Sequence, residues 1–406
     1  MKADRQMTTG EWPKVKLADV AEQCLGKMLD AKKNKGRQFS YLRNPNVRWF
    51  DVDTTDLQTM PFEDHEHERY GLRAGDIVIC EGGEAGRAAI WDGRLPDVKF
   101  QKAIHRVRPG PKLYNRFFVH RLMADHQSGR LADYFTGATI KHFTGQDLAR
   151  YEFPLPPLAE QRRIADVLDR AEELRAKRRA ALAQLDSLTQ SLFLDLFGDA
   201  GENAKGWPVR AVADYVAEFQ GGKSIESESG DNVITRNRVL KVSAVTGMKF
   251  LAHESKPVPD NYEPPKEHFA KPGDLLFSRA NTTELVGAVA YVNSTPPNVL
   301  LPDKLWRFVW REPAGIEPLF VWALFQTPTL RLEIGRRATG TSGSMKNISQ
   351  EKVFGIRTIL PPIDLQREFA RRVTAVEKLK TAQRASLAEL DALFASLQHR
   401  AFRGEL

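Results

Sequence analysis

Cysteine is scarce: the 406 residues hold two, Cys24 and Cys80. Neither has metal-ligand spacing around it. A disulfide scaffold and a zinc module are therefore excluded, and both read as reduced, buried thiols. No apolar run approaches the ~20 residues that a membrane-spanning helix needs. The first residues lack an apolar core of the secretory kind, so the protein is expected to be cytoplasmic, with no membrane partner. Catalytic signatures are missing too. There is no Gly-x-Ser-x-Gly elbow. No strand end carries the acids and lysine of a nuclease. No Asn/Asp-Pro-Pro-aromatic motif of amino-methyltransferases occurs, since the Pro-Pro pairs are followed by Leu158, Lys266, Asn298 and Ile363. Gly222-Lys223-Ser224 falls short of a phosphate loop, because Ala217 stands where the first glycine belongs. His65 and His67 have no third metal ligand near them and read as a solvated loop.

What the chain does have is a long helix pattern written twice. The copies run over 158–197 and 363–402, each after a Leu-Pro-Pro tripeptide (Leu155-Pro156-Pro157 and Leu360-Pro361-Pro362). Gln161 and Gln366, Leu174 and Leu379, Leu185 and Leu390, and Phe197 and Phe402 each stand 205 residues apart. Alternating steps of three and four trace a heptad seam in the first copy: Ile164, Val167, Ala171, Leu174, Arg178, Ala181, Leu185, Leu188 and Leu192. The matching seam of the second holds Val376, Leu379, Leu390, Leu393 and Leu397, with Val373, Leu387 and Phe394 widening its apolar face. The spacing predicts that the two copies pair as a coiled coil, with Leu185 and Leu390 in neighbouring layers.

The repeat continues upstream. Trp12-Pro13 matches Trp207-Pro208, Gly75-Asp76 matches Gly273-Asp274, and Thr136-Gly137 matches Thr339-Gly340. Strands are predicted over 76–80, 88–91, 274–279, 287–292 and 305–310, and helices over 115–125, 319–326 and 330–337. The fold class is α+β. The predicted units are a first globular domain (1–157), a first long helix (158–197), a linker (198–206), a second globular domain (207–362), and a second long helix with the C-terminal tail (363–406).

The net charge of +8 favours a polyanionic partner. Arg, Lys, Asn, Gln and His hold phosphates and read base edges. The candidates on turns and strand ends are Lys102, Lys141 and His142 in the first body. In the second they are Arg236, Arg238, Arg279, Asn281, Lys304, Lys346 and Asn347.

The layout resembles the specificity subunit of type I restriction–modification systems. The resemblance rests on the Leu-Pro-Pro…Gln motif with its long helix, its echo at Leu360-Pro361-Pro362…Gln366, the Thr-Gly landmarks and the Gly-Asp strands. The second copy departs by placing Asp364 and Leu365 before Gln366, where the first has Ala159 and Glu160 before Gln161. The resemblance implies two similar α/β target-recognition domains separated by two long helices that pair as an antiparallel coiled coil with pseudo-twofold symmetry. Each domain would read one half of a bipartite site in double-stranded DNA. The helices would set the gap and dock two methyltransferase subunits, and a restriction/translocase subunit would join for cleavage. The chain itself would be non-catalytic and without cofactor; S-adenosylmethionine and ATP would sit on the partners. Two rivals stand against this reading: a coiled-coil scaffold that never touches DNA, and a self-sufficient methyltransferase or nuclease.

Overall fold

The structure is a computed structural model that describes residues 12–30, 32, 34–225, 234–342 and 345–406. Residues 1–11, which carry the leader reading, lie outside the described residues. The chain forms two compact units, 1–179 with 385–406, and 180–384. Each takes one end of each long helix.

In the first unit β1 (Lys14–Lys16), β2 (Ala21–Leu25), β3 (Arg37–Leu42), β4 (Gln58–Phe62), β5 (Ile77–Cys80), β6 (Ala88–Ile90), β7 (Lys99–Phe100) and β8 (Ile104–Pro109) precede helix α1 (Asn115–Gln127), β9 (Glu152–Pro154) and the long helix α2 (Leu158–Phe197). The main sheet has the order β2-β8-β5-β6, a side sheet the order β4-β3-β7, and β1 pairs with β9. β5 reads Ile-Val-Ile-Cys and is buried throughout, the composition of a strand covered on both faces.

The second unit repeats this plan. Its strands are β10 (Val209–Ala211), β11 (Val216–Gly221), β12 (Arg238–Leu240), β13 (Ser255–Pro257), β14 (Leu275–Ser278), β15 (Ala280–Asn281), β16 (Val289–Tyr291), β17 (Val299–Leu300) and β18 (Leu305–Trp310). After them come α3 (Pro318–Leu324), β19 (Thr339–Ser342), β20 (Met345–Asn347), β21 (Arg357–Ile359) and the long helix α4 (Ile363–Ala401). The main sheet is β11-β18-β14-β16, the side sheet β13-β12-β17, and β10 pairs with β21. These three sheets of the first unit have counterparts in the same order, while its short ribbon of Val47–Arg48 with Asp51–Val52 has none. The second adds one three-stranded sheet, β15-β20-β19.

The repeated motifs now have physical roles. Gly75 and Gly273 adopt a positive φ of 93°, and the aspartate that follows each caps its own turn. The Asp76 carboxylate accepts the Arg73 N–H at 2.8 Å and that of Asp274 the Lys271 N–H at 2.7 Å. Asp76 then binds Arg108 at 2.8 Å, and Asp274 binds Arg307 at 2.9 Å. The glutamine of the Leu-Pro-Pro…Gln motif is a buried strut. Gln161 Oε1 accepts the Tyr114 N–H at 2.8 Å, while its Nε2 donates to the carbonyls of Lys112 and Pro156 at 2.9 and 2.8 Å. Gln366 Oε1 accepts the Glu317 N–H at 3.1 Å, and its Nε2 donates to the Pro361 carbonyl at 2.7 Å. Tyr114 and Glu317 are the residues just before α1 and α3. Each glutamine therefore ties the start of a long helix to the start of a helix in its own body, and occupies an N–H that the body helix leaves unpaired.

The seam needs correction at alternate positions. Leu174, Leu188, Leu379 and Leu393 are 54%, 37%, 46% and 50% exposed. The helices turn inward instead at Leu168, Arg175, Leu182 and Thr189, and at the repeat-equivalent Lys380 together with Val373, Leu387 and Phe394, which were expected only to widen the apolar face. Ile164 and Val376 are buried, and Leu185, Leu192, Leu390 and Leu397 are half-buried. Counting apolar residues favours the wrong flank, because Val167, Leu174, Ala181 and Leu188 are more apolar than Leu168, Arg175, Leu182 and Thr189. The charged seam members are neutralised locally. Arg175 Nε donates to Asp391 Oδ1 at 2.6 Å in the first unit, and Lys380 Nζ lies 3.2 Å from Asp186 Oδ1 in the second. The early turns of α2 thus pack with the late turns of α4, and the converse, so the pairing is antiparallel. Leu185 and Leu390 fall in different units.

Candidate nucleic-acid interface

At one end of the main sheet of each body, three segments meet: the residue after the inner strand, the loop before its long neighbour, and the Thr-Gly turn. In the first body Glu81 follows β5. Its N–H donates to the Ala103 carbonyl at 2.9 Å, and its own carbonyl accepts the Phe143 N–H at 2.7 Å. In the second body Arg279 follows β14, donates to the Lys304 carbonyl at 3.1 Å and accepts the Ile348 N–H at 3.0 Å. The Thr-Gly landmarks close these turns. A Cβ on Gly137 would stand 2.1 Å from the Ile140 carbonyl oxygen, and one on Gly340 2.4 Å from that of Met345.

This arrangement gathers most of the expected contact residues. Lys102, Lys141 and His142 flank the partners of Glu81. All three are exposed, and the two lysines make no ion pair among the described residues. Arg279, Asn281, Lys304, Lys346 and Asn347 share the corresponding end of the second body. There Asn281 pairs with Lys346, and Ala280 with Asn347, across β15 and β20. Lys346 Nζ donates to the Gly340 carbonyl at 2.8 Å, so it partly serves its own turn.

Two expected residues sit elsewhere. Arg238 lies in the side sheet, where Nε donates to Ser255 Oγ at 3.0 Å and Nη2 to the Ser255 carbonyl at 2.7 Å. Its guanidinium holds β12 to β13. Arg236 is exposed beside it and pairs with Glu263 at 3.3 Å.

Sequence reasoning passed over Glu81 because it looked for cations. The signal available was its alignment with Arg279, four residues beyond the matched glycine-aspartate pairs' first strand residue in each copy. Nearby, His105 is buried on β8 and its Nε2 hydrogen-bonds the Phe143 carbonyl at 2.8 Å. Burial holds its pKa below the ordinary histidine value, opposed by that hydrogen bond. The ring is thus a neutral donor that braces the turn carrying Lys141 and His142. Cys80, buried one residue before Glu81, has its thiol pushed up to about 11 by burial.

The phosphate-loop reading of Gly222 has another explanation. A Cβ there would stand 1.8 Å from the Leu301 carbonyl oxygen, and one on Gly26 in the first body 2.1 Å from that of Gln101. Both glycines let one chain lie flat on another. His67 packs edge-on against Phe39 with ring centroids 4.5 Å apart. Among the described residues no group of three or more His, Cys, Asp or Glu could hold a metal ion, and no helix is long and apolar enough to cross a membrane.

Comparison with known proteins agrees with this geometry. Residues 9–184 match the family described as the type I restriction modification DNA specificity domain. The chain is 26% identical over 387 residues to the EcoKI specificity subunit of Escherichia coli K12, covering 90% of this chain and 82% of that protein. It is 22% identical over 384 residues to the StySPI specificity subunit of Salmonella potsdam, with the same coverage of 90% and 82%. The S subunit of a type I restriction–modification system from M. genitalium superposes with a TM-score of 0.57 over 98% of both chains, at 15% identity. A chain from a structure describing complex assembly of the type I system gives 0.59 at 20% identity, over 99% of this chain and 100% of that one. With the repeated body, the strut glutamines and the long helix pair, these matches place a type I restriction modification DNA specificity domain at residues 9–184 and make the whole chain similar in sequence and fold to the specificity subunits of type I restriction–modification systems.

Proposed function

We propose that the chain is the DNA-reading, non-catalytic subunit of a type I restriction–modification complex, each body reading one half of a bipartite site in double-stranded DNA. The observation that carries this reading is the repeated loop end. One backbone frame presents Glu81, Ala103 and His142 in one body, and Arg279, Lys304 and Asn347 in the other. An identical frame with different side chains is what two readers of different half-sites require. The helices act as a ruler, since 40 residues of α-helix extend about 60 Å.

The coil also docks two methyltransferase subunits. The exposed leucines support this. Leu174 and Leu393 stand at one level of the helix pair in the first unit, and Leu379 and Leu188 at the equivalent level in the second. A duplicated apolar site suits two copies of one partner. S-adenosylmethionine and ATP belong to the partner subunits, a restriction/translocase subunit completes the complex, and the assembly works in the cytoplasm. The test is co-expression with the methyltransferase subunit, followed by mapping of methylated adenines. A split motif with a fixed gap is the expected result. An intact complex that methylates nothing would sink the reading and leave a scaffold.

A further inference from the structure

Glu81 and Arg279 hold one position of the repeat, gripped by backbone hydrogen bonds on both sides. A side chain on so fixed a backbone is placed to read a base edge, which phosphate contacts from mobile lysines do not do. The two residues have opposite charge. The Arg279 guanidinium lies over the Trp306 ring, 5.8 Å from its centroid, and its Nε donates to the Asp303 carbonyl at 2.9 Å. That anchors one edge of the group; at the terminal edge, on a side chain 32% exposed, Nη2 lies 3.6 Å from Asp303 Oδ2, a long ion pair that a guanine edge would replace.

Glu81 is half-buried, and its carboxylate has neither hydrogen bond nor ion pair among the described residues. Glu84 differs, since Trp49 Nε1 and Arg87 Nη1 bind its two oxygens at 2.8 and 3.0 Å. An unpartnered carboxylate between Lys102 and His142 is repelled by phosphates. It gains only from a hydrogen-bond donor, and the donors on base edges in the major groove are exocyclic amines.

We propose that this position determines specificity in both bodies: Glu81 accepts a hydrogen bond from cytosine N4 in one half-site, and Arg279 donates to guanine O6 and N7 in the other. The assignment rests on the DNA-reading function proposed above.

The test uses the assembled methyltransferase complex with the wild-type chain, Glu81→Gln and Arg279→Lys. Methylated sites are mapped, and duplexes differing at single base pairs then compete for methylation. Glu81→Gln should lower discrimination at one C·G pair of one half-site by about ten- to a hundredfold. The other half-site and the gap should not change. Arg279→Lys should do the same at a G·C pair of the other half-site. An unchanged motif and ratio in a variant overturns the assignment for that residue. So does loss of methylation at every site, because the side chain would then support the body and not read a base. If the wild-type complex recognises no split motif, the functional reading itself fails and takes the assignment with it. A split motif indifferent to both variants removes the assignment alone.

Discussion

Arg175 binds Asp391 across the helix pair at 2.6 Å, and the repeat turns that contact into its own mirror. The residue 205 positions after Arg175 is Lys380, and the residue 205 positions before Asp391 is Asp186. Those two also meet, at 3.2 Å. Reversing one charge, Arg175→Asp, should cost about 1 kcal/mol, a value kept small by the 45% exposure of Asp391. Adding Asp391→Arg should recover most of it. A double-mutant cycle by denaturant unfolding checks this; no recovery in the double variant would remove the pair from the account of register.

The strut glutamines should matter more. Gln161→Ala strands the Tyr114 N–H and two carbonyls in a site with no solvent access, at roughly 2–4 kcal/mol. Gln366→Ala should act likewise on the second body. Equilibrium unfolding of each variant measures the loss, and a change below half a kilocalorie would contradict the strut role.

Leu174→Asp combined with Leu379→Asp should leave folding within about 0.5 kcal/mol, since both side chains are largely exposed. Capture of the methyltransferase subunit should nonetheless fall. Undiminished assembly, read by size-exclusion chromatography of the mixed subunits, would place docking on another surface.

Lys141→Ala should weaken DNA binding for all sequences alike and reduce the log–log salt slope by about 1, the signature of a phosphate contact. A changed motif with an unchanged slope would instead make Lys141 a base reader.

His105 gives the first body a pH dependence. Burial depresses its folded pKa below the ordinary value of 6.5, so the unfolded chain binds its proton first. Stability should be constant above that value and decline as pH falls below it. His105→Gln should flatten this slope. Urea midpoints between pH 7 and pH 5 provide the measurement.

The repeat, the long helices and the Gly-Asp strands were legible because they are local and periodic. The predicted strands over 76–80 and 274–279 lie at Ile77–Cys80 and Leu275–Ser278, and the helix over 115–125 at Asn115–Gln127. The seam was half legible. Its shared members, such as Ile164 and Leu185, are apolar on either reading. The choice between the flank of Leu174 and that of Arg175 depends on where Asp391 lies, which is a tertiary fact. The clustering of Lys102 with Lys141, and of Arg279 with Lys346, depends on backbone hydrogen bonds between distant loops. The contact of Arg238 with Ser255 was hidden for the same reason: nothing in its sequence neighbourhood announces Ser255.

The first unit includes 385–406, and its core contains Phe394 and Ala401. A ribosome making this chain completes every strand of the first body early, but delivers the helix turns that cover it some 200 residues later. In the interval the apolar side chains that Phe394 and Ala401 will cover remain open. The body synthesised first is thus the one finished last, and it is the one most exposed to chaperones and proteases during synthesis.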